Sequence, residues 1–310
     1  MIPGRNHATW CRSLFFRGHA PTSGEPLTEQ HLAAFGQAMV AGGVRYAYLF
    51  SGPFDPDGAL PDWAFSQRAK DSLARIRDHA PSLRLLPWVG GVFGKTVAVD
   101  RRSWRDRAVA STLRLCETLP VDGIHVDFEC ITHPAHPDAN RDPARQRGYG
   151  PGVCAFHRAL RNARSDLFTS SVVVTTATRA QPWKRQHSLE EMELLYRDID
   201  QIAYLLYDTG ISCRHTFAAA ANEQLAHLAT LQDRVGSRAP DVLLGVGTFV
   251  NEPNLRPFRD LRVENLTHSL HTFREALQTS GRPDLRIGGL AVYCEWHTSP
   301  LQWRIIRERW

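Results

Sequence analysis

The sequence predicts a single (β/α)8 barrel, an α/β fold in which parallel strands alternate with helices. The chain is 310 residues long, an ordinary length for one such barrel with its loops. Apolar runs and amphipathic segments alternate along the whole chain, and eight of each can be distinguished. A doubly wound sheet is the alternative, but no G-x-G-x-x-G motif follows the first strand and no linker-like stretch divides the chain. We therefore expect one domain over residues 1–310.

Each predicted strand is a short apolar or alternating run, and several predicted helices follow a Ser, Thr or Asp that can cap them. The strands are expected at residues 13–17, 45–50, 83–89, 123–129, 168–175, 201–208, 242–249 and 287–296. The helices are expected at residues 28–42, 63–79, 102–118, 152–164, 188–198, 214–236, 262–279 and 298–308. In such a barrel the functional site is built at the carboxyl ends of the strands and on the loops that follow them.

Composition excludes several classes of protein. Apolar residues make up 43% and charged residues 22%, as in a globular enzyme with a packed core. No apolar window is long enough to span a membrane and no export signal opens the chain, so we expect a cytoplasmic protein without a membrane partner. The net charge is +5, but the basic residues are spread along the chain, which argues against a nucleic-acid partner. Six cysteines without a C-x-x-C pair favour reduced thiols.

Two loops have an unusual composition. CITHPAHPDANRDPARQRGYGP (130–151) follows the fourth predicted strand, and TATRAQPWKRQH (176–187) follows the fifth. Both are candidate substrate loops, although solvated connectors can have the same composition. They carry six basic residues, Arg141, Arg145, Arg147, Arg179, Lys184 and Arg185. If these side chains act together, the substrate is acidic; the alternative is a set of solvated surface charges.

The fourth predicted strand, DGIHVDFE (122–129), carries the chemistry. Side chains alternate along a strand, so His125, Asp127 and Glu129 share one face and point into the barrel together. Burying three ionisable groups is costly unless they pair or act on a substrate. Two carboxyl groups this close resist joint ionisation, which suits acid–base catalysis. A hydrogen-bonded structural cluster is the alternative.

DGIHVDFE resembles the D-G-x-D-x-D-x-E signature of glycoside hydrolase family 18, the chitinase family, which lies on barrel strand four. Weaker matches follow the family's order: PWVGG (87–91), YLLYD (204–208), LLGVGTF (243–249) and GGLAVYCEW (288–296). The resemblance implies a TIM barrel. Only about a dozen residues separate residue 249 from the next helix, so the insertion domain of processive chitinases is not expected.

The resemblance also implies a mechanism. Glu129 would give its proton to the glycosidic oxygen, and Asp127 would orient the substrate's own 2-acetamido group, which attacks the anomeric carbon with Tyr207 bound to it. This substrate-assisted reaction retains the anomeric configuration and uses no cofactor or metal. It implies a chitinase-like or endo-N-acetylglucosaminidase-like enzyme whose partner is an N-acetylhexosamine-containing glycan or glycoconjugate.

Five residues are implied to bind the sugar. Asp208 would hold it directly, and Tyr293 would take the place of the family's strand-eight tryptophan as a stacking floor, with Trp296 as the substitute. Asp122, which opens the strand-four motif, and Trp88, which replaces the family's serine on strand three, are the remaining two candidates.

His125 departs from the pattern, because the family has an aspartate there. A histidine can hydrogen-bond Asp127 and becomes a cation at acid pH. We therefore expect Asp127 to stay ionised to lower pH, with activity weakened or shifted toward neutral pH. Two other functions stay open: a sugar-binding barrel without catalysis, and a biosynthetic enzyme acting on an amino-sugar intermediate. A metal site that combines this strand with His133 and His136 is not expected, because no metal-binding spacing supports it.

Overall fold

The structure is a computed structural model that describes residues 5–134, 136–178, 180–253 and 255–310. Eight parallel strands form a closed barrel in chain order, and the first strand pairs with the last. The strands are β1 (His7–Cys11), β2 (Val44–Pro53), β3 (Arg84–Val92), β4 (Ile124–Glu129), β5 (Thr169–Val174), β6 (Gln201–Leu205), β7 (Asp241–Gly247) and β8 (Gly289–Tyr293). The predicted fold class, a (β/α)8 barrel, is confirmed.

Helices connect the strands and cover the barrel from outside. They are α1 (Ser13–Arg17), α2 (Glu29–Ala41), α3 (Gln67–His79), α4 (Arg102–Thr118), α5 (Pro143–Ala163), α6 (Leu189–Tyr196), α7 (Arg214–Val235), α8 (Leu266–Thr279) and α9 (Pro300–Arg309). Several begin at the cap that the sequence offers. Ser188 and Ser299 each accept a hydrogen bond from the third residue of the following helix, whose side chain bonds back to the cap.

The first predicted strand is wrong. Residues 13–17 form the short helix α1, which buries Phe15 and Phe16 and ends at Gly18, whose φ of +69° is the left-handed conformation common at helix ends. The true first strand is β1, HATWC, and all five of its residues are buried. An apolar run of five residues fits a helix or a strand equally well, so periodicity could not distinguish them. The correction places Trp10 inside the barrel.

Side chains from alternate strand positions fill the barrel and leave open space at its carboxyl end. Trp10, Tyr48 and Leu86 belong to the cluster buried inside the barrel. A separate apolar cluster packs the strands against the helices. Tyr48 and Ser170 both donate hydrogen bonds to Gln201 Oε1, at 2.6 and 2.9 Å. This buried layer is the floor on which the candidate site rests.

The connection from β7 to α8 covers residues 248–265 and contains, in its described part, the short 3-10 helix Arg256–Phe258. The barrel therefore lacks an insertion domain at this point, as expected. Across the described residues, no helix combines the length and the apolar character that crossing a membrane requires.

Candidate active site

The polar face of β4 points into a cavity of about 220 Å³ at the carboxyl end of the barrel. Asp127 and Glu129 both line this cavity, whereas His125 lies one step deeper and is fully buried. The described lining includes five carboxylic residues, Asp127, Glu129, Asp138, Asp208 and Glu252. Its aromatic side chains are Trp88, Trp183, Tyr207 and Tyr293. Acidic groups and aromatic surfaces thus meet where the fold places a site.

Close contact between β3 and β4 fixes the position of Asp127. Gly90 of β3 pairs with Asp127 of β4, and a Cβ atom at Gly90 would lie only 1.9 Å from the Asp127 carbonyl oxygen. A glycine is therefore required there, because any side chain would push β4 away. This close approach is the physical reason for the first glycine of the PWVGG segment (87–91).

Asp127 is enclosed, and its surroundings disfavour the charged form of its carboxyl group. Its Oδ1 atom is buried and has no hydrogen-bond partner among the described residues, while the Trp88 side chain bonds to the carboxyl group. Burial first, and then the nearby Glu129, raise the pKa of Asp127 above its ordinary value of 3.8, although Lys184 acts in the opposite direction. The expectation that Asp127 stays ionised to lower pH is therefore wrong.

His125 belongs to the floor of the barrel. Its ring stacks on Tyr48 with centroids 3.6 Å apart and planes 4° apart, and its Nδ1 atom lies 2.9 Å from Ser170 Oγ. Burial first, and then His157, lower the pKa of His125 well below 6.5, so the ring is neutral. A neutral ring that bonds to Ser170 explains why His125 does not act as the cation that we expected beside Asp127.

Lys184 lines the candidate site, although it was not among the site residues predicted from the sequence. Its Nζ atom lies 2.8 Å from Glu129 Oε1 and 3.1 Å from Asp208 Oδ2, and its side chain is 1% exposed. Burial alone would lower the pKa of Lys184, but Asp208 and Glu129 outweigh it and raise the pKa above 10.5. Lys184 is thus a buried ammonium between two carboxylates. The signal was present, since Lys184 lies in the second candidate substrate loop.

The two unusual loops pair with each other and so bring Lys184 into the site. Ile131 and Lys184 form an antiparallel bridge. Thr132 N donates to Trp183 O at 2.9 Å, and Arg185 N donates to Cys130 O at 2.8 Å. His136 and Asp138 of the first loop line the cavity beside Trp183 and Lys184 of the second. Both loops therefore contribute to the candidate site.

Tyr207 and Asp208 follow β6 and have different surroundings. Tyr207 lines the cavity and stacks on Tyr293 with centroids 5.3 Å apart. Asp208 is fully buried with a φ of +51°, and both of its carboxylate oxygens are occupied: Gln181 Nε2 donates to Oδ1 at 2.7 Å and Lys184 Nζ to Oδ2. Asp208 therefore supports Lys184, and two of its hydrogen-bond acceptor positions are already used.

The aromatic floor is larger than the sequence indicated. Tyr293 lines the cavity, and Trp296 packs edge-on against it with centroids 5.5 Å apart. Trp296 Nε1 donates to Glu252 Oε1 at 2.9 Å, and this hydrogen bond holds the Glu252 carboxylate at the cavity wall. Trp10, which the misplaced first strand concealed, contacts Tyr293 and Tyr207 from below.

Asp122 does not lie in the site. It precedes β4, at the opposite end of the barrel from Glu129, and pairs with Arg77 at 3.1 Å. Its carboxylate also accepts a hydrogen bond from Leu85 N at 2.8 Å. The substrate-binding role expected for Asp122 is corrected to a structural one, because Asp122 lies before the start of β4, whereas β4 lines the cavity from Asp127 onward.

The expected basic cluster is not assembled. Arg145 pairs with Asp100, and Arg185 pairs with Glu191, each through two hydrogen bonds. Arg141 donates to a backbone carbonyl and Arg147 is exposed, while Arg179 lies outside the described residues. Lys184 is the one lysine or arginine in the described cavity lining. This charge balance gives no support to an acidic substrate at the cavity.

Glu252, Cys294 and His297 are the one group within the described part of the chain whose donor atoms are close enough to share a metal ion, all within 4.8 Å of one another. Glu252 Oε1 already accepts the hydrogen bond from Trp296 and lies 3.1 Å from His297 Nε2. These protein contacts account for the position of the carboxylate. The group is separate from the metal ligands considered on the fourth strand and its loop.

No family model matches the chain, and a search of curated proteins finds no match. Solved structures do resemble it in fold. A class V chitinase from Pseudomonas fluorescens superimposes with a TM-score of 0.61 and 15% identity over 99% of each chain. A GH18 chitinase variant from Cycas revoluta, solved with (GlcNAc)4, gives 0.58 and 14% over 97% of each chain. The spore cortex-lytic enzyme SleL from Bacillus cereus gives 0.63 and 11% over 100% of this chain and 75% of that one. The resemblance to the chitinase barrel is thus confirmed for the fold.

Proposed function

We propose that the chain is a retaining glycoside hydrolase that cleaves next to an N-acetylhexosamine by substrate-assisted catalysis. One observation carries the proposal: Asp127 and Glu129 lie on the same face of β4, side by side at the wall of a cavity with an aromatic floor. A pair of carboxylic residues in an aromatic cleft is the arrangement that glycoside hydrolysis requires. The chitinases with the same fold support this assignment.

The reaction uses three residues. Glu129 gives a proton to the glycosidic oxygen, so that the bond between this oxygen and the anomeric carbon breaks. The acetamido carbonyl oxygen of the same sugar forms the new bond to that carbon, and Asp127 and Tyr207 hold the acetamido group in place. Water then opens the cyclic intermediate and returns a proton to Glu129. The configuration at the anomeric carbon is retained because it is inverted twice.

The charge of the cavity limits the kinds of substrate that can bind. Five carboxylic residues and one lysine line its described part, so an anionic group close to the cleaved bond would be repelled. We propose a neutral N-acetylhexosamine glycan, of the kind present in the complex of the Cycas revoluta chitinase.

A thiazoline mimic of the cyclic intermediate tests the mechanism. We expect wild type to bind it, and Asp127→Asn to lower the affinity by about 100-fold, since an amide cannot pass a proton to the thiazoline nitrogen and form the resulting ion pair. Glu129→Gln should retain binding but abolish the release of sugar from N-acetylhexosamine oligosaccharides. Calorimetry and product analysis give the two measurements.

The matched control is Asp78→Asn, which changes an exposed carboxylate on α3 and should leave both measurements unchanged. Equal, weak binding of the mimic in wild type and Asp127→Asn would contradict the mechanism. An inverted product anomer, read by NMR immediately after cleavage, would contradict it as well.

A sugar-binding barrel without catalysis is the second candidate, and the ion pair between Lys184 and Glu129 is the observation that favours it. A proton donor must be free to reach the glycosidic oxygen, whereas Glu129 Oε1 is bound to the Lys184 ammonium at 2.8 Å. Wild-type protein that binds oligosaccharides and releases no product would support this candidate over the hydrolase.

A further inference from the structure

We propose that Lys184 is a positioning residue that couples Glu129 to Asp208 and thereby sets the upper pH at which the site can donate a proton. The inference deepens the proposed hydrolase function and, in its activity measurement, rests on it. Nothing in the family signature carries this role, because Lys184 lies outside every motif that the sequence shares with the family.

Within the described residues, the charged end of Lys184 contacts two carboxylates and one aromatic ring. Its Nζ atom lies between Glu129 Oε1 and Asp208 Oδ2, and it is 4.2 Å from the centre of the Trp183 ring. A buried ammonium requires such compensation, since an unpaired one costs several kcal/mol. The loop pairing between Ile131 and Lys184 fixes the backbone from which the side chain extends. The contact is therefore built into the fold.

The Asp208 and Glu129 side chains differ in how freely they can move. Asp208 is fully buried and is also held by Gln181, whereas the Glu129 side chain is 24% exposed at the cavity. Lys184 can thus stay bound to Asp208 while Glu129 turns toward a substrate. In contact with Lys184, Glu129 Oε1 is engaged by the ammonium, whereas a Glu129 side chain that turns away from it can reach the glycosidic oxygen of a bound sugar.

Other titratable groups face Glu129 and enter the balance. Asp127 faces it from β4, Tyr207 and Asp208 from the β6 end, Tyr293 from β8 and Tyr149 from α5, while His136, Asp138 and Glu252 line the same cavity. The acidic members among them repel negative charge in this part of the cavity, and the ammonium of Lys184 attracts it. Removal of the Lys184 charge and removal of the Asp208 charge should therefore shift the alkaline limb of the pH profile in opposite directions.

The pH dependence of kcat/KM for oligosaccharide hydrolysis measures this role. Lys184→Met should move the alkaline limb upward by about one pH unit or more, because the proton donor loses its nearest positive charge. Asp208→Asn should move the same limb downward, because the full charge of Lys184 then acts on Glu129. Lys184→Arg should restore the wild-type limb, and Lys70→Met, an exposed lysine on α3, should not move it.

A measurement without substrate separates this inference from the proposed function. The loss of melting temperature caused by Lys184→Met should grow as pH rises from about 5 to 8, because the two carboxylates then ionise without a cation. The inference would be overturned if the alkaline limb of kcat/KM were the same in wild type and in both variants, and if the loss of stability did not depend on pH. Lys184 would then be a packing residue. Absence of any hydrolysis in wild type, together with a pH-dependent loss of stability, would contradict the proposed function and leave the coupling intact.

Discussion

His125 shows how the surroundings of one residue change its chemistry. In the sequence it is a potential cation beside Asp127, but in the barrel it is a neutral ring between Tyr48 and Ser170. The same strand position therefore supplies packing and one hydrogen bond. In the proposed hydrolysis, the loss of rate at acid pH should therefore not depend on the titration of His125.

We expect His125→Asn to leave the acid limb of kcat/KM unchanged and to lower the free energy of unfolding by about 1 kcal/mol, since the stack on Tyr48 is lost while a polar partner for Ser170 is kept. NMR of the protein with 15N-labelled histidine gives the direct measurement. It should show a His125 ring that stays neutral well below pH 6.5, because burial lowers the pKa of His125. A His125 ring that becomes protonated near pH 6.5 would contradict this account.

Strands were predictable from the sequence where an apolar run was long or alternated clearly. The fourth strand was expected at 123–129 and is Ile124–Glu129, so the shared face of Asp127 and Glu129 could be deduced from alternation alone. The position of Lys184 could not, because it depends on a pairing between two loops that lie about 50 residues apart and carry no periodic pattern. The alternation of side chains along one strand was thus enough to predict where the two carboxylates lie. The position of Lys184 became clear only from the long-range contact in the structure.

The contact between β3 and β4 gives a prediction at the scale of elements. Gly90→Ala should lower the free energy of unfolding by about 3 kcal/mol or more and weaken binding of the thiazoline mimic, since the added methyl group would push against the Asp127 backbone. Gly24→Ala is the control: no atom lies within 4 Å of the added Cβ, so its φ of +74° accounts for a cost of about 1 kcal/mol. Equal losses in urea unfolding for both variants would show that the close approach is unimportant.

The molecule as a whole buries several titratable groups in their neutral form, and this determines how it responds to acid. Burial first, and then Arg5, lower the pKa of His7 to about 4. Burial first, and then His187 and Arg161, lower the pKa of His157 to about 3. The unfolded chain binds protons at these sites near pH 6.5, whereas the folded chain does not. Their contribution to stability is complete above pH 6.5 and is lost as pH falls toward the folded values.

His157 allows this contribution to be isolated, because neither of its ring nitrogens has a hydrogen-bond partner in the described part of the chain. His157→Leu should leave stability at pH 7 within about 1 kcal/mol of wild type, since no hydrogen bond is lost. Below pH 6.5 the variant should gain on wild type by up to about 1.4 kcal/mol for each pH unit, because it has no buried histidine to protonate. Urea unfolding at pH 7, 6 and 5 measures the difference in free energy of unfolding between variant and wild type. The control is His215→Leu, at an exposed position, for which this difference should be the same at all three pH values. Parallel curves for wild type and His157→Leu would place the acid sensitivity of the barrel elsewhere.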